Sequence, residues 1–398
     1  MPAEPYGFGR PAPLASTQAA PPTGQRAPGN RVALLLPLSG SNADLGQAML
    51  RAAQLSLAQP GAPPFNQYDT MGSPDAAAAA ARAALEAGAG IIVGPLTAPE
   101  TAAVAPLARA AGVPVLAFTS DAAQAQPGVW TLGITPAQQV RRLVLAVQAE
   151  GKGRVTAVVP DNPFGNALAD GLGATTATAG LPPPRIHRYA GGFTNLSNAL
   201  KDAADYNSRR GAIEARQRAA RARTDADGRR EASEIGQEPP LPPSFDALLL
   251  GAAGEPLNQA APLLTAYDIG PAQVRILGPA LWARQAGQLG SLSGAWYAAP
   301  DPAARAGFEQ QYAAKHGAPP RELASLAFDA AGIARAAAGG GGFAAGALMR
   351  PEGFVGADGL LALLPDGQVR RGLAIFEIDR GGSHIVQPAP QTLSAPGV

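Results

Sequence analysis

Cysteine is missing altogether from the 398 residues, and histidine, aromatic side chains and long apolar runs are scarce. The first absence excludes disulfides, thiolate metal sites and cysteine nucleophiles, and it is compatible with an oxidising compartment without establishing one. The three histidines, His187, His316 and His384, stand alone, with no second histidine or carboxylate at metal-ligand spacing, so no zinc site is expected. No G-x-S-x-G elbow and no P-loop occur, which leaves hydrolase and nucleotide chemistry without their usual residues. Gly88, Gly90 and Gly94 mimic a dinucleotide loop, but the apolar strand lies inside that run instead of before it. Apolar runs such as Val32 to Leu36 fall far short of the ~20 residues that span a bilayer. An excess of one charge is lacking too: 31 basic and 30 acidic side chains are interspersed, the opposite of a nucleic-acid footprint. No catalytic residue, metal or cofactor is expected, and the partners in view are small molecules or proteins.

What is present is one design used three times. Arg31 to Gly40, Gly90 to Thr97 and Gly112 to Ser120 are short apolar runs that stop at small polar residues, each followed by an alanine-rich segment suited to a helix. Such runs fit strands buried on both faces of a parallel sheet, and their polar ends line up along one edge, where ligands of open α/β sheets sit. Further strands are expected at Arg154 to Val159, Phe245 to Leu250 and Val274 to Leu277. Helices are expected at Leu45 to Ala58, Ser73 to Ala87, Pro99 to Ala111, Pro136 to Glu150, Asn166 to Ala179, Phe308 to His316 and Leu323 to Ala338. Ser73 before Pro74, and Thr97 with Glu100 three residues on, have the chemistry of helix starts. A length of 398 residues with 46% hydrophobic side chains is enough for two lobes.

Some segments stand apart. Met1 to Asn30, rich in Pro, Ala and Gly with no basic-then-apolar leader, reads as a disordered tether. Asp205 to Ser244 stands out: between Asp205 and Glu238 it carries eight arginines and seven acidic residues, and in that stretch Ile213 and Ile235 are the only large aliphatics. It reads as a solvated helical insertion with i,i+4 ion pairs, or as a docking arm. Gly359 to Leu364 and Gly372 to Ile378 read as a hairpin about Pro365 to Gly367. The Gly339 to Gly342 run is a helix stop. Asp161 and Asn162, ahead of Pro163, suit a helix cap better than a catalytic acid. Asp121 and Glu255 fall just past strand ends, where each could face a crevice or cap a turn.

LLLPLSG with Leu45-Gly46, then IIVGPL, GVPVLAF, VVPDNPFG, ILGPA and FVGADGLLALLPDGQVRRGLAIFEI together resemble the successive landmarks of type I periplasmic binding proteins, leucine-binding branch, over about Arg31 to Arg380. The resemblance implies an α/β fold of two doubly wound Rossmann-like lobes joined by three crossovers. Lobe one would be 31–137 and 299–350; lobe two would be 138–298 and 351–385 with the helical insertion at 205–244, and 386–398 would be a tail. It also implies a cleft lined by Ser39, Leu45, Thr97, Ala98, Thr119, Ser120, Asp121, Phe164, Glu255 and Ala280. By the same resemblance Ala98 stands where amino-acid receptors carry a serine, Asp121 replaces a threonine that meets the ligand carboxylate, and Ala280 replaces the glutamate that takes the ammonium. An ammonium drawn from water without a carboxylate partner costs several kcal/mol, so a zwitterionic amino acid fits only if Asp121 or Glu255 takes over that role.

The opening also resembles the periplasmic-binding-like domain of outer-membrane lipoproteins that activate penicillin-binding proteins. Two functions are therefore expected: a non-enzymatic periplasmic or outer-membrane-tethered regulator of peptidoglycan synthesis that contacts a penicillin-binding protein, or a receptor that delivers a small polar solute to an ABC permease. Any membrane contact would run through a lipid anchor outside the sequence given.

Overall fold

Five strands, β1 (Arg31–Leu36), β2 (Phe65–Asp69), β3 (Ala89–Val93), β4 (Val115–Ala117) and β5 (Val129–Thr131), form a parallel sheet in the order β2-β1-β3-β4-β5. This is a computed structural model, and it describes residues 29–238, 241–271 and 273–392. The expected tether lies almost wholly outside the described residues. Along β1, alternate side chains enter two different cores: Val32, Leu34 and Leu36 pack on one face, Ala33 and Leu35 on the other. Burial on both faces is why this strand reads as an unbroken apolar run. Helices α1 (Ala43–Leu57), α2 (Pro74–Glu86) and α3 (Ala98–Ala110) follow β1, β2 and β3 in turn.

The second sheet has seven strands in the order β15-β14-β10-β9-β8-β6-β7. Its parallel part comprises β6 (Val155–Pro160), β7 (Arg185–Tyr189), β8 (Ala247–Leu250), β9 (Arg275–Gly278) and β10 (Trp296–Ala299). Two antiparallel strands, β14 (Ala374–Asp379) and β15 (Gly382–Gln387), extend it beyond β10. One face is covered by α4 (Pro136–Ala149) and α5 (Pro163–Thr178), the other by α6 (Phe193–Ala203) and α9 (Glu255–Ala266).

Between β10 and β14 the chain returns to the first half. Helices α10 (Pro302–His316), α11 (Ala324–Gly339) and α12 (Ala345–Leu348) precede a small antiparallel sheet of β11 (Phe354–Gly356), β12 (Gly359–Leu363) and β13 (Val369–Arg371). Phe308, Ile333, Phe354, Leu361, Leu363 and Val369 share one core with Val32 and Leu36. The boundary expected at 350 is thereby corrected: the chain leaves the first half only after β13. The expected hairpin is corrected with it, because β12 pairs with Val369–Arg371, whereas Ala374–Asp379 joins the large sheet. The tail expected from 386 likewise starts too early, since β15 runs to Gln387 and Ala389 is buried. Three crossovers join the halves, at Leu132 to Thr135, at Pro300 to Asp301 and at Gly372 to Leu373.

The charged segment forms a helical hairpin, α7 (Tyr206–Ala222) and α8 (Ala226–Gly236). Its root is fixed: Arg209, 6% exposed, donates to the carbonyls of Ala204, Leu241, Tyr267 and Asp268, while Arg210 pairs with Asp268 at 2.9 Å. Beyond the root, Ala220, Ala232 and Ile235 pack with one another and with Ile213. The ion pairs are not the i,i+4 pairs expected. Arg216–Glu238 and Arg223–Glu231, both 2.7 Å, tie one arm of the hairpin to the other.

Candidate interlobe groove

Both parallel sheets direct the carboxyl ends of their strands to loops that carry the expected groove residues. Pro37 follows β1 and Pro160 ends β6, and each is followed by a helix that crosses close above it. A Cβ on Gly46 would lie 1.9 Å from the Pro37 carbonyl oxygen, and one on Gly165 would lie 1.9 Å from that of Pro160. Only glycine permits that approach. Leu45 and Phe164, the residues just before these glycines, are thus placed alike in the two halves, and both are half-buried.

In the first half, Ser39, Thr97 with Ala98, and the segment Thr119–Asp121 lie at the ends of β1, β3 and β4. Phe118 N–H donates to Pro95 O at 2.9 Å, which holds the last two loops together. Ser39, Thr97, Thr119 and Asp121 already have partners. Ser39 Oγ donates to Asp69 Oδ2 at 2.6 Å, and the N–H groups of Leu38, Ser39 and Met71 donate to Asp69 Oδ1. Burial alone would raise the Asp69 pKa, but the Ser39 hydroxyl and these N–H groups outweigh it and hold the carboxyl below its usual range. Thr97 forms a capping box with Glu100: its Oγ1 donates to Glu100 Oε2 at 2.7 Å and accepts from Glu100 N–H. Thr119 Oγ1 accepts from Asp121 N–H at 3.0 Å, and Asp121 Oδ1 accepts from Ala123 N–H at 3.0 Å. Asp121 therefore caps a turn, one of the two roles open to it, while its side chain stays exposed. Ser120 is exposed as well.

In the second half, Asn162 Oδ1 accepts from Gly165 N–H at 2.9 Å, so Asn162 is the cap of α5. Trp282, fully buried, donates from Nε1 to Ala252 O at 2.8 Å and fastens the loop after β9 to the loop after β8. These loops carry Ala280 and Glu255. Ala280 N–H donates to Gln139 Oε1 at 2.8 Å, and Glu255 is exposed in the first turn of α9, where Gln259 Nε2 approaches it at 3.4 Å. The halves meet at the rim, where Arg284 pairs with Glu322, and neighbouring Arg321 pairs with Asp44 at 3.1 Å. These two pairs bring the Ala280 loop and the start of α1, which holds Leu45, to the same mouth.

Asp69, Met71 and the Arg284–Glu322 pair escape a reading of sequence. Asp69 closes β2, whose FNQYD composition has no apolar alternation, and its contact with Ser39 spans 30 residues. Met71, 60% exposed, and Leu281, 44% exposed, add apolar surface at the strand ends. Among the described residues no group of three or more metal-ligating side chains occurs, and no helix is long and apolar enough to cross a membrane.

A family model described as periplasmic binding protein matches residues 30–383. Among solved structures, a candidate branched-chain amino acid ABC transporter of Rhodospirillum rubrum superposes with a TM-score of 0.67 at 19% identity, over 89% of this chain and 99% of that one. Full-length LpoA of Haemophilus influenzae gives 0.66 at 17%, over 91% of this chain but only 60% of its own. Its C-domain, described as a regulator of PBP1A, gives 0.64 at 16%, over 89% of this chain and 99% of the domain. At such identities the likeness is one of fold. A comparison with curated proteins finds no match.

Proposed function

This chain belongs to the type I periplasmic binding protein family, and from that premise we propose that it is a non-enzymatic protein of the cell envelope that regulates a penicillin-binding protein in peptidoglycan synthesis. The observation that carries this reading is the state of the strand ends. Ser39 and Thr97 donate their hydroxyls to Asp69 and Glu100, Thr119 Oγ1 accepts from the Asp121 N–H, and the backbone N–H of Ala280 is taken by Gln139. A zwitterion entering the groove would have to displace these bonds, each worth about 1 kcal/mol net. It would find alanine at positions 98 and 280, where the family's amino-acid receptors supply polar anchors. The surface is better suited to contact with another protein; the α7–α8 hairpin is rooted at the opposite edge of the second sheet, where Asp205 pairs with Arg185 at the start of β7 and Arg210 pairs with Asp268 after α9.

A second reading, delivery of a solute to an ABC permease, draws support from the Rhodospirillum rubrum neighbour, which this chain matches over 99% of its length. Calorimetry separates the two. With leucine, valine and glutamate we expect no heat above dilution at micromolar protein, and a micromolar Kd for any of them would favour the receptor.

A further inference from the structure

A cavity of about 260 Å³ lies between α4 and α5 of the second half and β13 with its turn in the first, and Ala122, next to Asp121, is part of its wall. Its α5 residues, Thr175 and Thr178, lie ~16–21 Å along the helix from Phe164 at the groove. Arg141 from α4 and Arg370 from β13 both line it. Among the described residues neither guanidinium has a carboxylate within ion-pair distance or a hydrogen bond to any side chain or carbonyl. Burial, then the nearby Arg370 charge, lowers the pKa of Arg141, so the two cations repel each other across the opening. Leu145 and Leu364 supply apolar wall on either side.

We propose that this cavity is a binding site for a small organic anion, a carboxylate held between Arg141 and Arg370 with an aliphatic or aromatic body against Leu145 and Leu364. The chemistry follows from the lining. An anion relieves the repulsion between two unpaired guanidiniums, each of which presents forked donors suited to a carboxylate. The volume lies just below the usual range of about 300–1,000 Å³ for ligand pockets, which limits the body to roughly a single ring or a short chain. The site also joins the halves: α4 begins just after the first crossover, and β13 ends just before the third. An occupant would therefore hold two of the three hinge strands in one arrangement, and it would favour whichever lobe angle the structure shows.

Titration of the full chain with 4-phenylbutyrate, followed by calorimetry or saturation-transfer NMR, tests the assignment, with 4-phenylbutanamide as the uncharged control. We expect 4-phenylbutyrate to bind, the amide not to bind, and Arg141→Gln and Arg370→Gln each to weaken binding roughly tenfold or more. Both positions are solvent-accessible, so unchanged melting curves will show that the variants fold. No binding of 4-phenylbutyrate overturns the proposal, as does binding that both variants leave intact, which would put the ligand elsewhere, such as the interlobe groove. Equal binding of inorganic phosphate would overturn the assigned ligand class, because the apolar wall would then contribute nothing.

Discussion

Asp329 is a residue whose ionisation the fold opposes. It is 3% exposed on α11, accepts from the N–H groups of Ala357 and Asp358, and faces Arg371 at 3.9 Å. Burial first, and the adjacent Asp358 carboxylate second, push its pKa up to about 7. Asp358 is in turn held by Arg305 and by Ser325 Oγ, and Arg371 donates to Leu132 O at 3.0 Å in the first crossover. Because the folded pKa lies above the unfolded one, the folded state retains a proton that the unfolded chain has released. This contribution is fully present below about pH 4 and is lost as pH rises toward 7. Its size is on the order of 4 kcal/mol at about 1.4 kcal/mol per unit. His187 and His316, whose pKa values burial lowers, run the other way over part of this window, so the informative quantity is a difference. Urea unfolding at pH 4.5 and pH 7 should show Asp329→Asn gaining stability relative to the parent as pH rises. A parallel pH dependence in the two proteins would contradict the assignment.

At the scale of elements, the α7–α8 hairpin is the part most separable from the rest. Its root depends on Arg209 and Arg210, whereas beyond Arg216 its buried Ala220, Ala232 and Ile235 cluster with one another and with Ile213. Exposed ion pairs such as Arg223–Glu231 contribute at most ~1 kcal/mol. Replacing residues 217–237 with a four-residue Gly-Ser linker should therefore shift the melting temperature by no more than a few degrees, about 1 kcal/mol in a chain of this size. A large loss of stability would show that the arm packs on the body, and a loss of partner binding with stability intact would identify it as a docking arm. The same contrast between buried and exposed elements explains what could be read from the chain. β1, β3, β4, β6, β8 and β9 were legible because both of their faces are buried. β2 (FNQYD) and β7 (RIHRY) were not, because they are edge strands with polar, exposed faces. Within the groove, the Thr97–Glu100 capping box was legible from a three-residue spacing. The Ser39–Asp69 bond was hidden, since it exists only once β1 has paired with β2. The exchange of strands after β13 was hidden for a related reason: Val369–Arg371 and Ala374–Asp379 have similar alternation, and only the packing of Val369 with the first half and of Leu373 with the second divides them.

The whole molecule is two halves joined by three short crossings, with an exposed ion pair, Arg284–Glu322, between them. At the strand ends Ser39 and Thr97 donate their hydroxyls to Asp69 and Glu100, and the Ala280 N–H donates to Gln139, each bond within a single half. The regulation by contact proposed above, with a penicillin-binding protein as partner, can be measured directly. Purified full-length protein should be added at equimolar ratio to a purified penicillin-binding protein from the same genome, and glycan polymerisation and cross-linking followed from lipid-linked precursor. The account predicts a rate several-fold above that of the enzyme alone. An unchanged rate with saturating protein, across the penicillin-binding proteins of that genome, would contradict it.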